Sequence, residues 1–124
     1  LVTFFEVEVD RGEINAHAAF LCNYEVMQIL QQLKDNTQKK HKREASLATV
    51  TYETVHYLQD TECKNQSEEM IQKFLEGMKK FKLTKMEKLM MVNTPPRTEL
   101  EIQLVSSVKN ITHNIYKELV NTGV

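Results

Sequence analysis

The hydrophobic pattern of the first residues alternates. Phe5, Val7 and Val9 fall on one side of an extended chain and Glu6 and Glu8 on the other, within a β-branched and aromatic run from Val2 to Val9. This predicts a half-buried strand, ended by Asp10-Arg11-Gly12. No second segment with that period follows, and a lone strand cannot satisfy its own backbone donors and acceptors. Such a segment is disordered, a foreign tail, or paired with another chain. From Asn23 the period becomes helical. Val26, Ile29, Leu30 and Leu33 line one face of a helix over 23–34, with Asn23 as cap and Glu25 set against the dipole of the first turn.

Residues 35–46 are polar and read as a loop. A second helix over 48–59 turns Tyr52, Val55 and Leu58 inward. Ser67 opens a third, whose broad apolar face carries Met70, Ile71, Phe74, Leu75, Met78 and Phe81. Gly77 weakens its middle by about 1 kcal/mol relative to alanine. Thr84-Lys85-Met86-Glu87 is a capping box that starts a fourth helix, and Asn93-Thr94-Pro95-Pro96 stops it because proline cannot continue the ladder. Thr98-Glu99-Leu100-Glu101 is a second box, followed by Leu100, Leu104, Val105 and Val108 as apolar positions. Thr112 caps a last helix with Ile115, Tyr116, Leu119 and Val120, and Gly123 ends it. The pattern is all-α: a bundle of about five helices over 47–124, preceded by a helix that stands apart and by a strand-like arm over 1–19.

Composition changes this picture little. The 124 residues, 41% hydrophobic and 27% charged, suit one domain plus an arm. Three glycines and two prolines disfavour turn-rich sandwiches and barrels. A net charge of −1 provides no global field toward nucleic acid. Charge is nevertheless uneven. The first 33 residues are acidic, while Lys39, Lys40, Lys42 and Arg43 and the lysines at 79, 80, 82, 85 and 88 are basic. Solvated faces explain such runs, and the first run lacks the interleaved aromatics of a base-stacking surface. Cys22 and Cys63 have no metal-ligand or redox spacing and read as free thiols. No apolar run reaches the length of a membrane span, and the start is too soon acidic for a signal peptide.

Candidate chemistry is sparse. The four histidines pair with no acid, cysteine or second histidine at a ligand spacing, and no phosphate-binding or nucleophile motif is present. Glu68-Glu69 opens a helix and compensates its dipole. Asn65-Gln66-Ser67 and Asn110-Ile111-Thr112 match glycosylation tripeptides and read as chance matches. No catalysis, metal or cofactor is expected. Met86, Met90 and Met91 stand out because adjacent methionines cannot both face one core, and methionine-rich faces also bind partners. Core packing is the simpler reading of Met86 and Met90, whereas core and partner contact weigh equally for Met91.

Four segments carry a resemblance. Phe20-Leu21-Cys22-Asn23-Tyr24-Glu25-Val26 resembles an "LSNYEV" motif, Thr49 to Thr54 a "TITYET" motif, Phe81 to Leu89 with Asn93 and Pro96 an "LTKAEKLQ…N…P" motif, and Glu101-Ile102-Gln103-Leu104 an "EIQL" motif. In this order they resemble the ninth-subunit family of DNA-directed RNA polymerase III, also called the calcitonin gene-related peptide receptor component protein. The resemblance implies an HRDC-like helical fold over residues 20–124 and no catalytic residue. It implies a nuclear subunit that forms the polymerase stalk with a larger, OB-fold-containing subunit, contacts the polymerase core and supports initiation at tRNA and 5S rRNA genes. A heteromer follows rather than a homo-oligomer, with a weak RNA contact allowed and no membrane insertion. The family's second name implies the alternative, an accessory protein of a peptide receptor coupled to G-protein signalling, with a cytoplasmic or membrane-peripheral pool. Phe20, Leu21, Tyr24 and Val26 are the expected partner contacts, with Met90 and Met91 as further candidates. Cys22 stands where the motif has serine, so Asn23 is expected to take over the cap, and Met90 replaces a glutamine and makes its face more apolar.

Overall fold

The computed structural model describes residues 4–6, 19–37, 45–106 and 111–124. The arm contributes two short strands, β1 (Phe5–Glu6) and β2 (Ala19–Phe20), paired antiparallel with Phe5 opposite Phe20 and Glu6 opposite Ala19. The strand expected to need another chain thus finds a mate within its own. Two residues are too short to show a period, which is why β2 was invisible in the pattern. The rest of the expected strand, with Val2, Val7 and Val9, and the basic run at 39–43 lie outside the described residues.

The helices are α1 (Asn23–Thr37), α2 (Ala45–Gln59), α3 (Glu68–Met78), α4 (Lys85–Asn93), α5 (Glu99–Val105) and α6 (Thr112–Thr122), with a 3₁₀ turn at Glu62–Asn65. The fold is all-α apart from the two-residue ladder. Most starts follow the sequence signals. Ser67 accepts from Met70 N–H at 3.3 Å, and Thr84 and Glu87 form the full reciprocal box at 3.1 and 2.7 Å. Thr98 caps α5 at 3.2 Å, but Glu101 reaches back to Arg97 N–H rather than to Thr98. Ile111, not Thr112, caps α6, and Thr112 is a buried first-turn residue. Gly123 ends α6 at φ 75°, where a side chain would be strained.

The interior forms two clusters. The larger joins Ile71, Phe74 and Met78 of α3, Leu89, Met91 and Val92 of α4, Ile102 of α5, and Ile115 and Leu119 of α6, and it receives Phe5 and Cys22 from the arm. The smaller holds Met27, Leu58 and Cys63 between α1, α2 and the 3₁₀ turn, and Tyr24 packs against both. α2 therefore packs on α1 rather than among α3–α6. Its inward residues are Thr51, Val55 and Leu58, at i, i+4 and i+7, whereas Tyr52, expected inward, is exposed beneath the Lys34 ammonium at 5.6 Å.

Two further contacts hold the elements in place. Pro96 has no N–H to give the Val92 carbonyl, four residues earlier, so Gln66 Nε2 donates to that carbonyl at 2.7 Å. Gly77 lets α6 approach α3. A Cβ there would come within 2.9 Å of Glu118 Cγ, and Glu118 pairs with Lys80 at 3.0 Å. The helix-propensity cost of this glycine thus accompanies a close helix–helix contact.

Gly123→Ala is expected to lower stability by about 1 kcal/mol, because the left-handed cap penalises a Cβ, and Ser67→Ala by a similar amount (about 1 kcal/mol) for its lost cap. Phe74→Ala, at the centre of the larger cluster, is expected to cost about 3–5 kcal/mol. Urea titrations followed by circular dichroism measure all three.

Candidate partner-docking site

The start of α1 brings the arm, α1 and α4 together. Asn23 is the first helical residue and Cys22 occupies the cap position, since the Cys22 carbonyl accepts the Val26 N–H at 3.0 Å. Asn23 therefore does not replace the missing serine cap. Glu25 does part of that work instead. Its side chain is fully buried, and its two oxygens accept from Cys22 N–H at 3.2 Å and Phe4 N–H at 3.4 Å. Asn23 N–H, a donor with no partner inside its helix, is taken by Asn93 Oδ1 at the end of α4 at 2.8 Å. The sequence showed Glu25 only as a first-turn acid; its place three residues after Cys22 is the one signal of a reciprocal cap.

Burial dominates the chemistry of Cys22. It pushes the thiol from 9.0 up to about 12, with the Glu25 side chain adding to the rise and nearby backbone donors opposing it. Cys63 is also buried and free, and its thiol donates to the Leu58 carbonyl at 3.2 Å. Neither thiol is placed for chemistry on an outside molecule.

The expected contact residues separate into three groups. Phe20 and Leu21 stand exposed beside β2, at 47% and 37%. Tyr24 and Val26 are half-buried, with Tyr24 wedged between the clusters and Val26 against the smaller one. The two methionines reverse the simpler reading. Met91 is wholly enclosed in the larger cluster and is a core residue, not a contact, while Met86 and Met90 are exposed. At 100° per residue, Leu89, Met91 and Val92 share the inward arc of α4, and Met86 and Met90, four apart, share the outward one.

One apolar surface escaped the sequence reading. Leu47, Val50 and Tyr57 run along α2 beside its buried stripe, exposed at 51%, 61% and 67%. The apolar face of α2 is thus wider than α1 covers. The signal was present in the spacing i, i+3, i+10, masked by the assumption that one helix carries one apolar stripe. No group of metal-ligating side chains assembles among the described residues, and no helix there is long and apolar enough to cross a membrane.

The family model described as RNA polymerase Rpb4 matches residues 20–114. The match begins at Phe20 and includes α1 through α5 and the start of α6.

Glu25→Ala is expected to cost about 1–3 kcal/mol by leaving the buried Cys22 N–H and the half-buried Phe4 N–H without this acceptor. Hydrogen exchange should speed up at Phe4 and Cys22 before it does in α3. The unfolded Cys22 thiol loses its proton from about pH 9, whereas the folded one keeps it to about 12. Its contribution is therefore complete below pH 9 and declines between these values, by about 1.4 kcal/mol per pH unit. Alkaline denaturation of wild type against Cys22→Ala measures this slope, and the native thiol should resist a maleimide that labels the unfolded chain.

Proposed function

The chain belongs to the RNA polymerase Rpb4 family, and on that premise we propose that it is the stalk subunit of RNA polymerase III, paired with that enzyme's larger stalk subunit and supporting initiation at tRNA and 5S rRNA genes. Family membership makes it a non-catalytic polymerase subunit of the stalk, a partner of an Rpb7-like subunit and a nuclear protein. The assignment to polymerase III is supported by the ordered motif matches at 20–26, 49–54, 81–96 and 101–104.

The observation that carries the docking surface is the exposure of Phe20 and Leu21 at the edge of a two-stranded ladder. Among the described residues neither strand has a second neighbour, so an open strand edge lies beside two large exposed apolar side chains, Phe20 and Leu21. A partner strand can add to that edge, with Phe20 and Leu21 filling pockets on the larger subunit. Tyr24 and Val26 act from behind, by holding α1 against both clusters. The uncovered face of α2 at Leu47, Val50 and Tyr57 gives the larger subunit a second surface, since an apolar row of this length loses free energy to water until it is covered.

Co-expression with the larger stalk subunit of polymerase III should give a stable heterodimer and raise the melting temperature, because a partner that binds only the folded chain stabilises it by mass action. The corresponding subunits of polymerases I and II should bind at least about tenfold more weakly, a difference of about 1.4 kcal/mol. Equal or better binding to either of those would overturn the assignment while leaving family membership intact. Phe20→Asp with Leu21→Asp should weaken the heterodimer by about 2 kcal/mol or more and leave the helical circular dichroism of the free chain unchanged.

A further inference from the structure

A third apolar surface is built by α4 and α5. Met90, Pro96, Leu104 and Val105, with Asn93, Thr94 and Glu101, line a groove of about 460 Å³ between α4 and α5. Met90 and Leu104 are apolar residues that the core does not use, and both are exposed on the groove. Leu104 is 80% exposed at the groove's own lip.

Among the residues that line the groove, charge has one sign. It sits at the carboxyl ends of both helices, where Asn93 and Thr94 close α4 and Leu104 and Val105 close α5. The carbonyl end of a helix carries a partial negative charge. Neither helix has a basic residue in its last turn to offset it. Glu101 is the charged side chain among the lining residues, and it is acidic. Apolar walls and a negative field therefore select an occupant that is apolar along one side and cationic beside it.

We propose that this groove docks a short, basic, amphipathic segment of a protein other than the larger stalk subunit, with large aliphatic side chains against Met90 and Leu104 and an arginine or lysine toward Glu101 and the ends of α4 and α5. A second copy of the chain does not fit. A stable interface takes about 20–30 residues a side, far more than the seven that line the groove, and two-fold self-pairing would set Glu101 against Glu101. A small molecule does not fit either, because a lip as open as Leu104 cannot enclose most of a ligand's surface. An amphipathic segment needs only a groove and apolar anchors at helical spacing. None of Phe20, Leu21, Leu47, Val50 or Tyr57 lines the groove, so the inference does not depend on which polymerase the chain serves.

The test uses the heterodimer with its Rpb7-like partner and a fluorescent amphipathic peptide with leucines at i, i+3 and i+4 flanked by arginines. Anisotropy should report saturable binding, weakened about tenfold or more by Leu104→Glu, a change of at least about 1.4 kcal/mol. Glu101→Gln keeps an acceptor for Arg97 N–H and should weaken binding less, while flattening its dependence on salt. A peptide with glutamates in place of the arginines should bind more weakly than either. Absence of binding, or binding indifferent to both substitutions, overturns the proposal. Binding to the free chain but not to the heterodimer assigns the groove to the stalk interface and also overturns it. So does a wild-type heterodimer that self-associates through this face and is dispersed by Leu104→Glu.

Discussion

The structure depends on how the first turn of α1 is closed. A helix that begins against a core must find acceptors for N–H groups that its own ladder leaves unpaired, and water cannot reach a fully enclosed site. Glu25 and Asn93 meet that requirement from opposite directions. One reaches back from inside α1 to the backbone of Cys22 and Phe4; the other reaches across from the end of α4 to Asn23. Satisfying these donors fixes the arm over the core, where Phe5 and Cys22 are buried, and sets α1 relative to α4. The exposed face of β2 is oriented by the same contacts, so a polar requirement inside the protein positions an apolar surface outside it.

Much of the fold was legible because its signals are local. Ser67, Thr84, Thr98 and Gly123 mark helix ends through their own side chains or lack of one, and the structure uses each of them. What sequence alone misplaced depends on which neighbour covers which face. Met86 and Met90 were read as core and Met91 as equally core or contact, yet α3, α5 and α6 enclose Met91 and leave the other two outside. Tyr52 belongs to the same class: its helix was recognised, but the inward direction was off by one residue. β2 failed for a different reason. Two residues hold no periodicity, and their pairing with Phe5–Glu6 is a long-range contact that a local pattern does not encode.

The site was half legible. Phe20 and Leu21 were singled out as apolar residues beside a strand read as unpaired; the strand pairs within the chain, and both side chains stand exposed. Glu25 was read only as a dipole partner, because burial of a carboxyl group depends on the arm folding over it. The α2 row was missed altogether. In a subunit of a larger assembly, an exposed apolar residue is information about a neighbour, and the habit of assigning every apolar stripe to the chain's own core discards it.

The division of the interior has a consequence for local stability. The α1–α2 pair rests on a small cluster of Met27, Leu58 and Cys63 with Val55 buried beside it, whereas α3–α6 share a cluster several times larger. Local opening is therefore expected to cost less in this pair than in α3–α6, with Tyr24 packed against both clusters. On the proposed docking, a partner that covers β2 and α2 would hold this smaller unit closed. Assembly would then add most to stability where the chain's own core adds least.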